Sequence, residues 1–373
     1  MIYFDNASTT KPNEEILELY NKVNKEYWYN ESSAHHLGIV AKTILDKAES
    51  SVIRSLHLKH KKVIFTSSAT EANNLAIYGI CKQYIGQNKQ IITSKIEHPS
   101  VLACFEDLEK YGFKVTYLDV DEKGVIDLDM LKNSLTKDTI LVSIMWVNNI
   151  IGSIQPIKKI KEILKPYPRI KFHSDLVQGI SKLTPDFDYN DLDLMTFTAH
   201  KIHGIKGTAA LIINENLNIE KITKGGHQQN NLRGGTVDVA GAVCLAKSLE
   251  IAILNTESAY QKVKKLHDYL FDKLQKLPYI YLNHDSNASP YVINFSLKNL
   301  KGETLMHYLE QFNIYIGYGS ACNAKTKALE PTLMAVYHDE IRAMNAVRVS
   351  LSENNTIEEI DFFIEKLNSI GNR

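Results

Sequence analysis

Between about residue 60 and residue 215 the chain alternates short apolar runs with stretches long enough for helices. The runs are Lys62–Thr66, Gln90–Ser94, Lys114–Leu118, Thr139–Met145, Lys171–His173, Leu194–Thr198 and Ala209–Ile213. Near-continuous apolar runs of this length suit strands buried on both faces. The segments between them, such as Glu71–Tyr84 and Pro99–Tyr111, predict crossover helices. Strand and helix in alternation imply an α/β domain around a mainly parallel sheet. The pattern changes after about residue 260. A helix over Tyr260–Leu277 precedes a strand over Tyr291–Ser296, a helix around Glu303–Gln311 and a strand at Ile314–Ile316. A last strand at Ala346–Leu351 and a helix over Ile357–Leu367 complete a smaller α+β unit. The expected division is a large domain over 16–250, with 1–15 and 251–373 forming the small one.

Composition narrows the class. The chain has 373 residues, 44% of them hydrophobic, and its 43 basic residues balance 43 acidic ones. A neutral chain gives no electrostatic reason to expect direct nucleic-acid binding. The start, MIYFDNASTT, lacks the pattern of a secretory signal, and no run is read as approaching the roughly 18–20 apolar residues that cross a bilayer. A cytoplasmic enzyme with no membrane partner is the expectation. Cys81, Cys104, Cys244 and Cys322 are widely spaced, so neither a disulfide framework nor a zinc site is signalled.

In parallel sheets, ligands gather at the carboxyl ends of strands. The first run ends in Thr66–Asn74 (TSSATEANN), where hydroxyl residues precede a helix. A helix N-terminus suits a phosphate, though ordinary Ser/Thr capping gives the same residues. Asp175 follows the run Lys171–His173; it can cap a helix or keep a pyridine nitrogen protonated. Lys201 follows Leu194–Thr198; it can be solvated or couple covalently to an aldehyde. Together, a phosphate cradle, an acid and a lysine at three strand ends are what a pyridoxal 5'-phosphate enzyme needs. Cys322 sits in Gly317–Asn323 (GYGSACN), which is poor core material, and Lys325 and Lys327 nearby favour a thiolate. The other three cysteines read as core residues.

The motifs Tyr3–Thr10 (YFDNASTT), Ser68–Asn74 (SATEANN), Glu97-His98, Val147–Asn149, Asp175 with Gln178, His200-Lys201, Arg233–Thr236 (RGGT), Gly319–Cys322 (GSAC) and Leu329–Pro331 occur in one order along nearly the whole chain. In this set the sequence resembles the NifS/IscS-type cysteine desulfurases of the class V aminotransferase group. The resemblance implies the fold type I architecture of pyridoxal-phosphate transferases, with a large α/β domain and a smaller α+β domain. It implies that Lys201 binds the cofactor covalently, Asp175 pairs with the pyridine nitrogen and His98 stacks over the ring. Gln178 and Asn148 would meet the phenolic oxygen or the substrate. Ala69, Thr70, Thr198 and His200 would lie around the phosphate, and Thr236 would reach the phosphate of a neighbouring subunit in an obligate homodimer. Arg348 would clamp the carboxylate of L-cysteine, a task suited to a bidentate guanidinium. Cys322 would take the sulfur as a persulfide and pass it to an acceptor protein for iron–sulfur assembly or tRNA thiolation.

Five positions depart from the family pattern: Glu31 stands where the family has proline, Trp146 where it has histidine, Ile150 where it has an acid, Gln229 where it has glutamate and Asn231 where it has glycine. Two rival readings keep the fold and change the function. One is another pyridoxal-phosphate lyase or aminotransferase, which has no need of a thiol in a glycine-rich loop. The other is a non-catalytic sulfur carrier or partner-binding homologue.

Overall fold

The computed structural model describes residues 1–283, 285–319 and 329–371. Its strands are β1 (Ile2–Phe4), β2 (Lys61–Thr66), β3 (Gln90–Ser94), β4 (Lys114–Leu118), β5 (Thr139–Ser143), β6 (Lys171–Asp175), β7 (Leu194–Thr198), β8 (Ala209–Asn214), β9 (Ile280–Leu282), β10 (Val292–Leu297), β11 (Ile314–Ile316) and β12 (Ala346–Ser350). Seven of them form one sheet in the order β2-β8-β7-β6-β5-β3-β4. Neighbours from β4 to β7 are parallel. β8 runs against both β7 and β2. The fold is therefore mixed α/β with a mainly parallel central sheet.

Period-two alternation explains why these strands read as continuous apolar runs. In each of β3, β5, β7 and β8, adjacent apolar residues enter opposite cores. Ile91, Leu141, Leu194 and Leu211 pack on one face, beneath the helices Ala69–Cys81 and Pro99–Lys110. Ile92, Val142, Met195 and Ile212 pack on the other, with Leu45, Val52 and Leu249. Every residue of β3, β5 and β7 is buried, whereas the edge strand β4 begins exposed.

A second core gathers around the antiparallel sheet β12-β10-β9 and the parallel pair β1-β11. Phe4 at the chain start meets Phe363 edge-on at 5.7 Å, so the first strand is packed against the last helix. One helix, Val239–Gln275, joins the cores. Its first half gives Ala242, Leu245 and Leu249 to the large sheet. Its second half gives Val263, Leu266, Leu270 and Leu274 to the small one. The sequence reading had this helix beginning at Tyr260 and no segment long and apolar enough to span a bilayer. Both points need correction: the helix has 37 residues and by length and composition alone passes that test. Its apolar residues are spent on two internal cores, which accounts for the composition.

The first ten residues are tied to the chain's far end. β1 pairs with β11, and Asn6 Nδ2 donates to the Ser350 carbonyl at 3.0 Å. This tie carries residues 5–10 across the carboxyl edge of the large sheet, beside the ends of β6 and β7, where Thr10 N donates to the His200 carbonyl at 2.8 Å.

Candidate active site

A cavity of about 260 Å³ opens at that edge. Lys201 enters it from a single 3-10 turn that follows β7. Its Nζ donates to the carbonyls of Ala7 at 2.5 Å and Ser8 at 2.6 Å. Burial pushes the Lys201 amine down to about 7, and the nearby cations Arg348 and Lys182 push the same way. An amine so placed is partly unprotonated at neutral pH, the form that attacks a carbonyl.

Asp175 is the last residue of β6, not a residue beyond the strand, and it is 6% exposed. Its Oδ2 accepts from Asn73 Nδ2 at 2.8 Å and its Oδ1 from the Val177 N–H at 2.9 Å. Neither partner is a cation, so its charge is available to a cationic ring inside the cavity. His98 lines the same cavity and caps the helix Pro99–Lys110, its Nδ1 accepting from Ser100 N at 3.1 Å. Desolvation lowers its pKa against the pull of Asp175. The capping role and the place in the site thus coexist.

The helix Ala69–Cys81 points its N-terminus at the cavity, with the first-turn residues Ala69 and Thr70 on the wall. Ser68 caps it by accepting from Glu71 N at 3.2 Å, and Glu71 is paired with Arg233 at 2.8 Å. Thr198 and His200 complete this end. The Thr198 hydroxyl donates to the Thr208 carbonyl at 2.9 Å, so its proton is committed to the backbone in this arrangement. Burial takes His200 down to about 4, which keeps it neutral.

Arg348 reaches the cavity from β12 and is 3% exposed. One of its terminal nitrogens donates to Asp5 Oδ1 at 2.9 Å and Ser8 Oγ at 2.7 Å, and the other to the Asn149 carbonyl at 2.8 Å. Its Nε is buried without a partner.

Asn148 is fully buried and does not line the cavity. Its Oδ1 accepts from the N–H groups of Ile150 and Ile151 at 2.8 and 2.9 Å, while Nδ2 donates to Ile96 O at 2.8 Å. It holds the turn after β5 together, and its neighbour Asn149 faces the cavity. Gln178 does line the cavity, with Nε2 donating to Ala7 O at 2.9 Å. Thr236 is exposed and lies along a separate, smaller cavity with Ser67 and Arg233. Cys322 lies outside the described residues; Cys81, Cys104 and Cys244 are all buried. Asp5, Ser8, Asn73, Asn149 and Lys182 were missed. Asp5 and Ser8 lay within a quoted motif, but nothing in the sequence says that the chain's start folds over Lys201.

Three of the departures have structural accounts. Trp146 is a core residue, edge-on to Phe187 at 5.0 Å and Tyr189 at 6.3 Å. Ile150 belongs to a small core with Leu333 and Val336. The Gln229 amide clamps the edge strand β2, accepting from Phe65 N at 2.6 Å and donating to Phe65 O at 2.7 Å. A carboxylate cannot donate the second of these. Asn231 holds a left-handed φ of 62°. Glu31 is buried with one carboxylate oxygen unpartnered, and nothing in the structure explains it.

Residues 2–363 match the aminotransferase class-V family. The chain belongs to that family. It is 37% identical over 371 residues to the cysteine desulfurase IscS of Dictyoglomus turgidum, covering 99% of this chain and 94% of that one. It is 39% identical to the NifS/IcsS protein homolog of Lactobacillus delbrueckii subsp. bulgaricus, at 99% and 97% coverage. Among solved structures, a NifS-like protein superposes with a TM-score of 0.92 at 34% identity, covering 99% of this chain and 98% of that one. SspA in complex with cysteine superposes at 0.81 with 29% identity, over 95% of this chain and 100% of that one.

The family's cofactor is pyridoxal phosphate, and the residues of this class-V member fit it. A buried amine of lowered pKa meets the need of an aldehyde. A carboxylate without a cationic partner meets the need of a pyridinium. The helix start at Ala69 and Thr70 offers N–H groups to a phosphate. The unpartnered Nε of Arg348 offers a donor to a substrate carboxylate.

Proposed function

We propose that this class-V enzyme is a cysteine desulfurase that converts L-cysteine to L-alanine and leaves the sulfur as a persulfide on Cys322. The carrying observation is the convergence of Lys201, Asp175, His98 and Arg348 on one cavity. Pyridoxal phosphate, when bound, supplies an electron sink for the carbanion formed at the substrate Cα. Asp175 keeps the pyridine nitrogen protonated, and His98 stacks over the ring. Ala69 and Thr70 hold the phosphate with their backbone N–H groups, beside neutral His200. Gln178 donates to the phenolic oxygen, and Asn149, not Asn148, faces the substrate. Arg348 binds the substrate carboxylate and so fixes Cα beside Lys201. Lys201, as an unprotonated amine, would accept the Cα proton. The thiolate of Cys322 attacks the substrate sulfur. The new S–S bond forms as the Cβ–S bond breaks, the electron pair of the broken bond stays with carbon, a proton adds at Cβ, and Lys201 returns its proton to Cα to complete alanine.

The finer readings belong to the same proposal. The chain divides into a large domain over 16–250 and a small one from 1–15 and 251–373. It works in the cytoplasm as a homodimer, with the exposed Thr236 reaching the partner's phosphate. The persulfide serves an acceptor protein of iron–sulfur assembly or tRNA thiolation. Support for the cysteine substrate comes from the names of the relatives and from the cysteine bound to SspA.

The test is an absorption spectrum of the purified protein, followed by L-cysteine with alanine and sulfide measured in parallel under reductant. A visible band of lysine-bound cofactor and equal release of the two products are expected. Replacing Cys322 by Ala should keep the band and abolish alanine formation. A colourless protein that stays inert after pyridoxal phosphate is supplied refutes the proposal.

A further inference from the structure

Lys182 is a buried lysine that the proposed chemistry does not use. It is 8% exposed, and its Nζ donates to Gln178 Oε1 at 2.8 Å. Gln178 Nε2 in turn donates to Ala7 O at 2.9 Å, and that carbonyl also accepts from Lys201 Nζ at 2.5 Å. The two lysines are thus joined by one amide and one carbonyl. An ammonium can only donate, and a carbonyl can only accept. Turning the Gln178 amide over would set donor against donor at Lys182 and acceptor against acceptor at Ala7. The amide therefore has one orientation, with its NH₂ on the side of the active-site cavity.

A second cavity, of about 200 Å³, lies behind Lys201 and is lined by Lys182, His203, Lys262, Tyr291 and Glu353. Glu353 is the acid facing Lys182 there, and it is paired with His203 at 3.5 Å. The Tyr291 ring lies 5.7 Å from Lys182 Nζ, while Arg348 and His200 lie on the side of the active site. No carboxylate is hydrogen-bonded to Lys182 among the described residues, so its charge is not cancelled on the spot.

We propose that Lys182 is a positioning residue: its ammonium fixes the Gln178 amide with the NH₂ toward the cofactor's phenolic oxygen, and its charge favours the unprotonated amine of Lys201. This rests on the site reading given above. The surroundings fit it. Burial lowers Lys182 to about 8, with Arg348 adding to that and Glu353 opposing it, so the group still carries its charge at pH 7.

The experiment follows pyridoxal phosphate uptake by the apoenzyme across pH 6–9, read as growth of the visible band. Wild type, Lys182→Met and Lys182→Arg are compared, with melting curves as a fold check. Removing the neighbouring charge shifts Lys201 toward its protonated form. Uptake by Lys182→Met at pH 7 should therefore fall about fivefold, and the deficit should close as pH rises toward 9. Lys182→Arg, which keeps a donor-only cation, should restore most of the rate. A Lys182→Met profile that superposes on wild type overturns the proposal. If that variant does not fold, Lys182→Gln keeps a donor for Gln178 without the charge. It should show the same pH shift, and an unshifted profile again overturns the proposal. Failure of wild type itself to take up the cofactor would instead overturn the site reading.

Discussion

Replacing Gly179 by Ala tests how this chain accommodates a tryptophan where the family pattern has histidine. A Cβ built on Gly179 falls 2.2, 2.6 and 2.9 Å from three carbons of the Trp146 indole. The indole cannot retreat, because Phe187 and Tyr189 stand edge-on behind it and the ring is 2% exposed. Overpacking of this kind costs about 1–3 kcal/mol. Gly→Ala also removes freedom from the unfolded chain, which offsets about 0.4–1 kcal/mol. The net expectation is a loss of about 1 kcal/mol in urea unfolding followed by circular dichroism. In a Trp146→His background the two benzo-ring carbons are gone and the smaller ring has room to turn away from the third contact, so the same alanine should be neutral or slightly stabilising. The cycle should thus return a coupling of about 2 kcal/mol. Equal costs in the two backgrounds, or no cost in wild type, would refute the argument. Because Gly179 adjoins Gln178, a displaced turn should also weaken cofactor binding, measured by equilibrium dialysis.

Three further outcomes are expected. Asn148→Ala removes the acceptor of the buried Ile150 N–H and should cost about 1–3 kcal/mol, whereas Asn149→Ala should leave stability within about 0.5 kcal/mol and act on the KM for cysteine. Unfolding curves and steady-state kinetics on both variants check this pair. Arg348→Lys loses the guanidinium fork and should raise KM by about 10–100-fold, so an unchanged KM would detach Arg348 from the substrate carboxylate. With its folded pKa down at about 7, Lys201 is protonated below that pH and free above it. Cofactor uptake by the apoenzyme should therefore rise with pH and level off above about 8, where an ordinary lysine would still be climbing; stopped-flow absorbance decides.

The large sheet was legible because its strands are buried on both faces, which leaves an unmixed apolar run as their signature. Lys201, Asp175 and the helix start at Ala69 could be found for the same reason, since each directly follows or closes such a run. The helix Val239–Gln275 was read short because its apolar stripe changes partner midway, from one core to the other, and the repeat is blurred there. Asn148 and Asn149 are adjacent and chemically identical, and only the turn at Ile150 and Ile151 determines which faces inward. Lys182 carried no signal at all: a lone lysine is ordinarily a surface residue, and its burial follows from contacts with Gln178 and Tyr291.

The tie between the first ten residues and β11 and β12 sets an order on synthesis. Asn6 and Ala7 are hydrogen-bonded to Ser350, some 340 positions later, and Asp5 waits for Arg348. On the ribosome residues 2–7 emerge long before their partners in β11 and β12, and until those follow the segment has only mid-chain contacts such as Thr10 with His200. The Ala7 and Ser8 carbonyls are therefore fixed in place against Lys201 only when translation is nearly complete. Contacts of such long sequence separation form late, because the closure entropy must be met before they give any return. The large sheet can fold while the nascent chain is still growing, but a reactive amine set in a finished pocket is among the last things this protein acquires.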